Sequence, residues 1–123
     1  MEKKILIVED DKFVAELYEH QFTKQGFLVK VAMDGEAALA AVGGEKFDLA
    51  LLDIMIPKID GLEVLKRLKA DPAKKDMPVV ILSNLGQEEL IKQALQLGAK
   101  AYIVKSLYTP TQVVAEVRSI LGV

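Results

Sequence analysis

Cysteine is absent from the 123 residues, which excludes disulfides, thiolate metal sites and cysteine nucleophiles and fits a reducing compartment. The single histidine, His20, has Glu16 as its one acidic neighbour at helical spacing and reads as a surface residue. An excess of basic charge is also missing. Sixteen Lys and Arg against eighteen Asp and Glu leave a net charge of −2, which gives no electrostatic footprint for nucleic acid or an anionic membrane. Long apolar runs are lacking too: Ile5 to Val8 stops at Glu9, so no signal-peptide core follows the MEKK start. No stretch approaches the roughly 18 apolar residues of a spanning helix, and a soluble cytoplasmic protein is expected. Linkers, repeats and low-complexity segments are missing as well.

What remains is a chain long enough for one good core and too short for two, expected to form a single domain over residues 1–123. Its centre is FDLALLDIMIPKIDG at 47–61. Leu49, Ala50, Leu51 and Leu52 read as a strand buried on both faces that ends abruptly in Asp53. An ionised carboxylate resists desolvation unless it is paired, hydrogen-bonded or metal-bound, so Asp53 is expected at the strand's exposed C-terminal end.

The other segments repeat the pattern. Strands are expected at 4–8, 27–32, 79–82 and 101–104. Helices are expected at 12–25, with Phe13, Leu17, Val14 and Tyr18 as apolar residues of the core, from Asp34 and Gly35 to about Val42, and at 61–70, 87–97 and 110–121. Gly43 and Gly44 are read as closing the second helix. Five alternating strand–helix units predict a parallel sheet with helices on both faces and right-handed crossovers.

Several polar residues then fall on one sheet edge. Glu9 and Asp10 follow strand one, Asp53 ends strand three, Ser83 follows strand four and Lys105 follows strand five. Ligands of open α/β sheets bind outside the carboxyl ends of the strands. Taken singly, each residue has an ordinary alternative: Asp10 or Asp11 caps the first helix, with Asp11 preferred, Ser83 caps the next helix, and Lys105 is a solvated loop charge. Taken together, carboxylates about 4 Å apart repel by roughly 4 kcal/mol per pair at an effective dielectric near 20. A bound hard cation such as Mg²⁺ relieves that repulsion, and a cation beside an ammonium and a hydroxyl suits phosphoryl transfer.

These residues, in this order and spacing, resemble the receiver domain of two-component response regulators over essentially the whole chain. The resemblance implies a flavodoxin-like, doubly wound α/β fold with a five-stranded parallel sheet in the order 2-1-3-4-5 and five helices. It implies that Asp53 accepts a phosphoryl group from a sensor histidine kinase, a phosphotransfer protein or a small phosphodonor. Asp10, Asp53 and the Met55 carbonyl would bind Mg²⁺, with Glu9 acting through water. Lys105 and Ser83 would contact the phosphoryl group, and Tyr102 would turn inward as a switch aromatic. Two charge-assisted hydrogen bonds at about 1.5–3 kcal/mol each approach the roughly 5.5 kcal/mol that reverses a 1:99 equilibrium. A downstream protein would read residues 87–121.

The sequence departs from the family pattern in three places. Ser106 stands where a proline, often cis, follows the lysine, so a trans loop or a strained one is expected. Asn84 replaces a small residue beside the phosphoryl site. The last helices lack the charged dimer face of winged-helix regulators, which points to a monomer or weak dimer. The leading expectation is a stand-alone receiver rather than an enzyme in its own right. Aspartyl-phosphate phosphatases of the haloacid-dehalogenase type need a second Asp where Met55 stands, and a constitutive interaction domain would not need Glu9, Asp10, Asp53 and Lys105 intact.

Overall fold

The computed structural model describes residues 2–123. Five strands alternate with five α-helices: β1 (Lys4–Val8), α1 (Lys12–Lys24), β2 (Leu28–Ala32), α2 (Gly35–Gly44), β3 (Leu49–Leu52), α3 (Gly61–Ala70), β4 (Val79–Ser83), α4 (Glu88–Gln96), β5 (Ala101–Val104) and α5 (Pro110–Leu121). A short 3₁₀ turn, Lys105–Leu107, joins β5 to α5. All strand pairs are parallel and the order is β2-β1-β3-β4-β5, the flavodoxin-like arrangement expected.

Strand alternation divides the core in two. Leu6, Val8, Ala50, Leu52, Val79 and Ile81 point to the layer of α2, α3 and α4, while Ile5, Ile7, Leu49, Leu51, Val80 and Ile103 meet α1 and α5. This is why β1, β3 and β4 read as unbroken apolar runs: both of their faces are covered. From β1 the chain winds to β2 at one edge, and from β3 it winds the opposite way to β4. The crevice between β1 and β3 is therefore the point where the winding reverses.

Helix starts are fixed by local chemistry. The carboxylate of Asp11 accepts the Phe13 and Val14 N–H groups at 3.0 and 3.2 Å, as expected for Asp11. Asp34 and Asp60 cap α2 and α3 in the same way, and Thr109 forms a capping box with Gln112 ahead of Pro110.

Two expectations are corrected. Gly43 and Gly44 do not close α2 but form its last turn, and Glu45 caps it; consecutive alanines carry the helix through the glycines. Phe13 and Leu17 are not core: they are 82% and 48% exposed, and α1 buries Ala15, Tyr18 and Phe22 instead. Both i, i+4 pairs fit helical spacing, but only the Val14–Tyr18 side faces the sheet. Smaller differences are that β2 starts at Leu28, α4 at Glu88, and Ser83 belongs to β4.

Two glycines make opposite predictions. Gly43 has open space where a Cβ would go, so Gly43→Ala should stabilise the fold by about 0.5–1 kcal/mol. At Gly61 a Cβ would lie 2.2 Å from the Asp53 carbonyl oxygen, so Gly61→Ala should destabilise by about 1–3 kcal/mol. Urea denaturation of both variants checks the two signs.

Candidate functional site

Four strand ends build one open cleft lined by Glu9, Asp10, Asp53, Met55, Ser83 and Lys105, among others. Asp53 is held by its backbone, whose N–H donates to the Val8 carbonyl at 3.1 Å. The close approach of Gly61 seats the start of α3 against it. Its side chain has two partners: Oδ1 accepts the Met55 N–H at 3.2 Å, and Oδ2 accepts Lys105 Nζ at 2.8 Å. Glu9 is equally fixed, its Oε2 accepting the Asp11 N–H at 3.1 Å and its Oε1 accepting Lys105 Nζ. Both acids are buried, whereas Asp10 stands exposed at the rim.

Ligand oxygens of Glu9, Asp10 and Asp53 all lie within 4.8 Å of one another. Two of the three carboxylates share one ammonium and Asp10 adds a third negative charge, so the cleft keeps an excess of negative charge. Burial raises the Glu9 pKa, although the Lys105 hydrogen bond opposes the shift. For Lys105 burial alone would lower the pKa, but its bonds to Asp53 and Glu9 outweigh burial and raise it. The ammonium therefore stays charged at any physiological pH. The donor set is entirely hard oxygen with an exposed acid at the entrance, which fits a small divalent cation such as Mg²⁺.

Ser83 is buried at the end of β4, its Oγ accepting the Leu85 N–H at 3.2 Å. Tyr102 lies half-buried on β5 and its hydroxyl donates to the Leu85 carbonyl. Ser83 and Tyr102 thus hold opposite sides of one residue in the β4–α4 loop. Met55 extends its side chain into solvent, 65% exposed. The structure brings six of the seven expected site residues to the cleft, and Tyr102, set back on β5 opposite Ile81, reaches its rim through the Leu85 carbonyl. Leu85, which the sequence places two residues after Ser83 where it would shape water access, also lines the cleft, and so does Val14, which is not singled out as a site residue because an apolar residue at a helix start carries no distinguishing signal. The described residues contain no cis peptide bond, so the Lys105–Ser106 loop is trans and runs through the 3₁₀ turn.

The Glu9 shift has a sign that can be measured. A carboxyl whose folded pKa is raised above its ordinary 4.5 stabilises the fold below that value and loses the contribution as pH rises through the raised one. In metal-free buffer Glu9→Gln should therefore flatten the fall in stability that this group imposes as pH rises above its ordinary 4.5. Urea denaturation of the wild type and the variant across a series of pH values above that point checks it.

A profile of the response regulator receiver domain matches residues 5–118. The alkaline phosphatase synthesis transcriptional regulatory protein PhoP of Bacillus subtilis is 39% identical over 121 residues, covering 98% of this chain and 49% of that protein. The phosphorylated cyanobacterial phytochrome response regulator RcpA superposes with a TM-score of 0.84 at 34% identity, covering 98% of this chain and 91% of that one. The Mn²⁺-bound response regulator Rcp1 superposes with a TM-score of 0.86 at 30% identity, covering 95% and 92%. The chain spans about half the length of the curated relatives it matches. A strand-end acidic cleft at the winding reversal and a profile match over nearly the whole chain lead to one assignment: it belongs to the response regulator receiver domains of two-component signalling.

Proposed function

We propose that residues 1–123 act as one phosphorylation-controlled receiver unit in the cytoplasm, with Asp53 as the phosphoacceptor. The observation that carries this reading is Lys105 Nζ, 2.8 Å from Asp53 Oδ2 at the centre of an otherwise acidic cleft. Asp53 has one carboxylate oxygen engaged by a cation and the other by a backbone N–H, which orients it as a nucleophile. In transfer from a sensor histidine kinase or phosphotransfer protein, a P–O bond to Asp53 forms as the P–N bond to the donor imidazole breaks. The imidazole leaves with the bond's electron pair.

Mg²⁺ would be held by Asp10, Asp53 and the Met55 carbonyl, with Glu9 acting through water, and supplies positive charge that offsets the carboxylates and the phosphoryl oxygens. The neighbours support this: RcpA is described as phosphorylated and Rcp1 as Mn²⁺-bound. Lys105 binds a phosphoryl oxygen, exchanging a carboxylate partner for the new anion. The Ser83 hydroxyl donates to another. Once Ser83 turns to the phosphoryl group, its acceptor is withdrawn from the Leu85 N–H, while Tyr102 still holds the Leu85 carbonyl. The β4–α4 loop is thereby biased toward a second arrangement, and the surface formed by residues 87–121 presents it to a downstream protein. The chain catalyses its own phosphorylation and dephosphorylation only and acts as a monomer or weak dimer without contacting nucleic acid or membrane.

Intact mass after incubation with acetyl phosphate tests this reading. The wild type should gain one phosphoryl group in a Mg²⁺-dependent way, and Asp53→Asn should gain none. No gain in the wild type, repeated with a purified phosphohistidine protein as donor, would contradict the reading and favour a constitutive interaction domain.

A further inference from the structure

Among the five α-helices, α4 is the least anchored. Ala94 is its one buried residue, and Gln87 at its N-cap makes no side-chain hydrogen bond, whereas Asp11, Asp34, Asp60 and Thr109 cap the other four. An uncapped start with exposed Glu88 and Glu89 leaves little to hold that end of the helix.

Just past its other end, a side chain from a different helix packs against the turn into β5. Lys69, in the last turn of α3, sends Nζ to the carbonyls of Lys75 at 2.9 Å and Met77 at 2.8 Å. The stem of the same side chain runs beneath Gly98, where a Cβ would meet Lys69 Cγ at 3.1 Å and Cδ at 3.3 Å. Gly98 takes φ +106°, a conformation open to glycine with little strain, and it begins the turn from α4 into β5. That turn is fixed in sequence by Ala99 N–H on the Ala94 carbonyl at 3.0 Å and Lys100 N–H on the Val79 carbonyl at 2.8 Å. Burial lowers the Lys69 pKa, against the pull of Asp76. One lysine thus joins the α3–β4 connection, which leads into an interior strand, to the α4–β5 turn, which leads into the edge strand.

We infer that Lys69 pins the C-terminal end of α4, so that the helix pivots about the turn Leu97–Lys100 and its N-terminal end, next to Leu85, is the end that moves. The pin is a property of the resting fold. Its use in signalling rests on the proposed function, in which phosphorylation acts on Ser83 and so on the loop entering α4.

Hydrogen exchange read by mass spectrometry on the whole chain tests both parts. Without any phosphodonor, Lys69→Met keeps the apolar stem and removes the ammonium; it should speed exchange across 72–78 by about tenfold, the effect of losing one or two hydrogen bonds, and, because the stem is no longer anchored beneath Gly98, should speed exchange across 95–100 as well. Lys69→Arg, which keeps donors on a stem of similar length, should restore much of the protection. Exchange in Lys69→Met indistinguishable from the wild type at both segments would overturn the pin. With acetyl phosphate and Mg²⁺, the wild type should change across 84–92 and stay constant across 95–100, and Lys69→Met should change across both. An equal change at both ends in the phosphorylated wild type would overturn the pivot. Intact mass on the same samples separates this from a chain that was never phosphorylated, which would contradict the proposed function and leave the donor-free comparison standing.

Discussion

The site depends on one ammonium shared by two buried carboxylates. Asp53 and Glu9 are both almost fully withdrawn from water, a placement that costs several kcal/mol per charge unless partners replace the lost hydration. Lys105 bonds to both, and backbone N–H groups of Met55 and Asp11 satisfy further oxygens. The compensation is incomplete by design of the charges, because Asp10 brings a third carboxylate and no second cation. A residual negative field in a cleft open to solvent attracts a divalent cation. It also makes Lys105 a partner that can be exchanged.

The rest of the fold serves to hold that arrangement. Glu9 and Asp53 stand side by side because β1 and β3 pair in parallel with Val8 opposite Leu52. Ser83 and Lys105 follow because β4 and β5 extend the same sheet with Ser83 opposite Val104. β1, β3 and β4 have no exposed face to vary without loss of core, so the register that aligns most of the chemistry is fixed by the hydrophobic pattern. The connections are less constrained. Leu85 is held from two sides by Ser83 and Tyr102, and α4 beyond it is lightly packed, so a rearrangement at the strand ends meets least resistance there.

Most of this was legible in the residues. Buried parallel strands announce themselves as short apolar runs, and charges that terminate such runs have few structural explanations when four of them fall on one edge. Helix faces were harder. In α1 the pairs Phe13–Leu17 and Val14–Tyr18 have the same spacing, and only the sheet's position shows that the first pair faces solvent. In α2 glycine looked like a stop, but a stop needs a residue that leaves helical geometry, and here Glu45 supplies it. Lys69 was invisible because a lysine late in an amphipathic helix normally points to water. Its role comes from Gly98, far along the chain, and from the Lys75 and Met77 carbonyls, six and eight residues on, which the turn after α3 brings back to it. The tyrosine on β5 was recognisable by its distance from Lys105, but its attachment to the Leu85 carbonyl depends on the conformation of a loop that the sequence does not specify.

Lys105 is the cleft's internal counter-cation, bonded to two of the carboxylates on which a divalent cation would draw. Calorimetric titration of the unphosphorylated wild type and Lys105→Met with Mg²⁺ tests this role most directly. Removing the ammonium should tighten Mg²⁺ binding, because two acids lose their competing partner. Equal or weaker binding in a folded Lys105→Met protein would contradict the account.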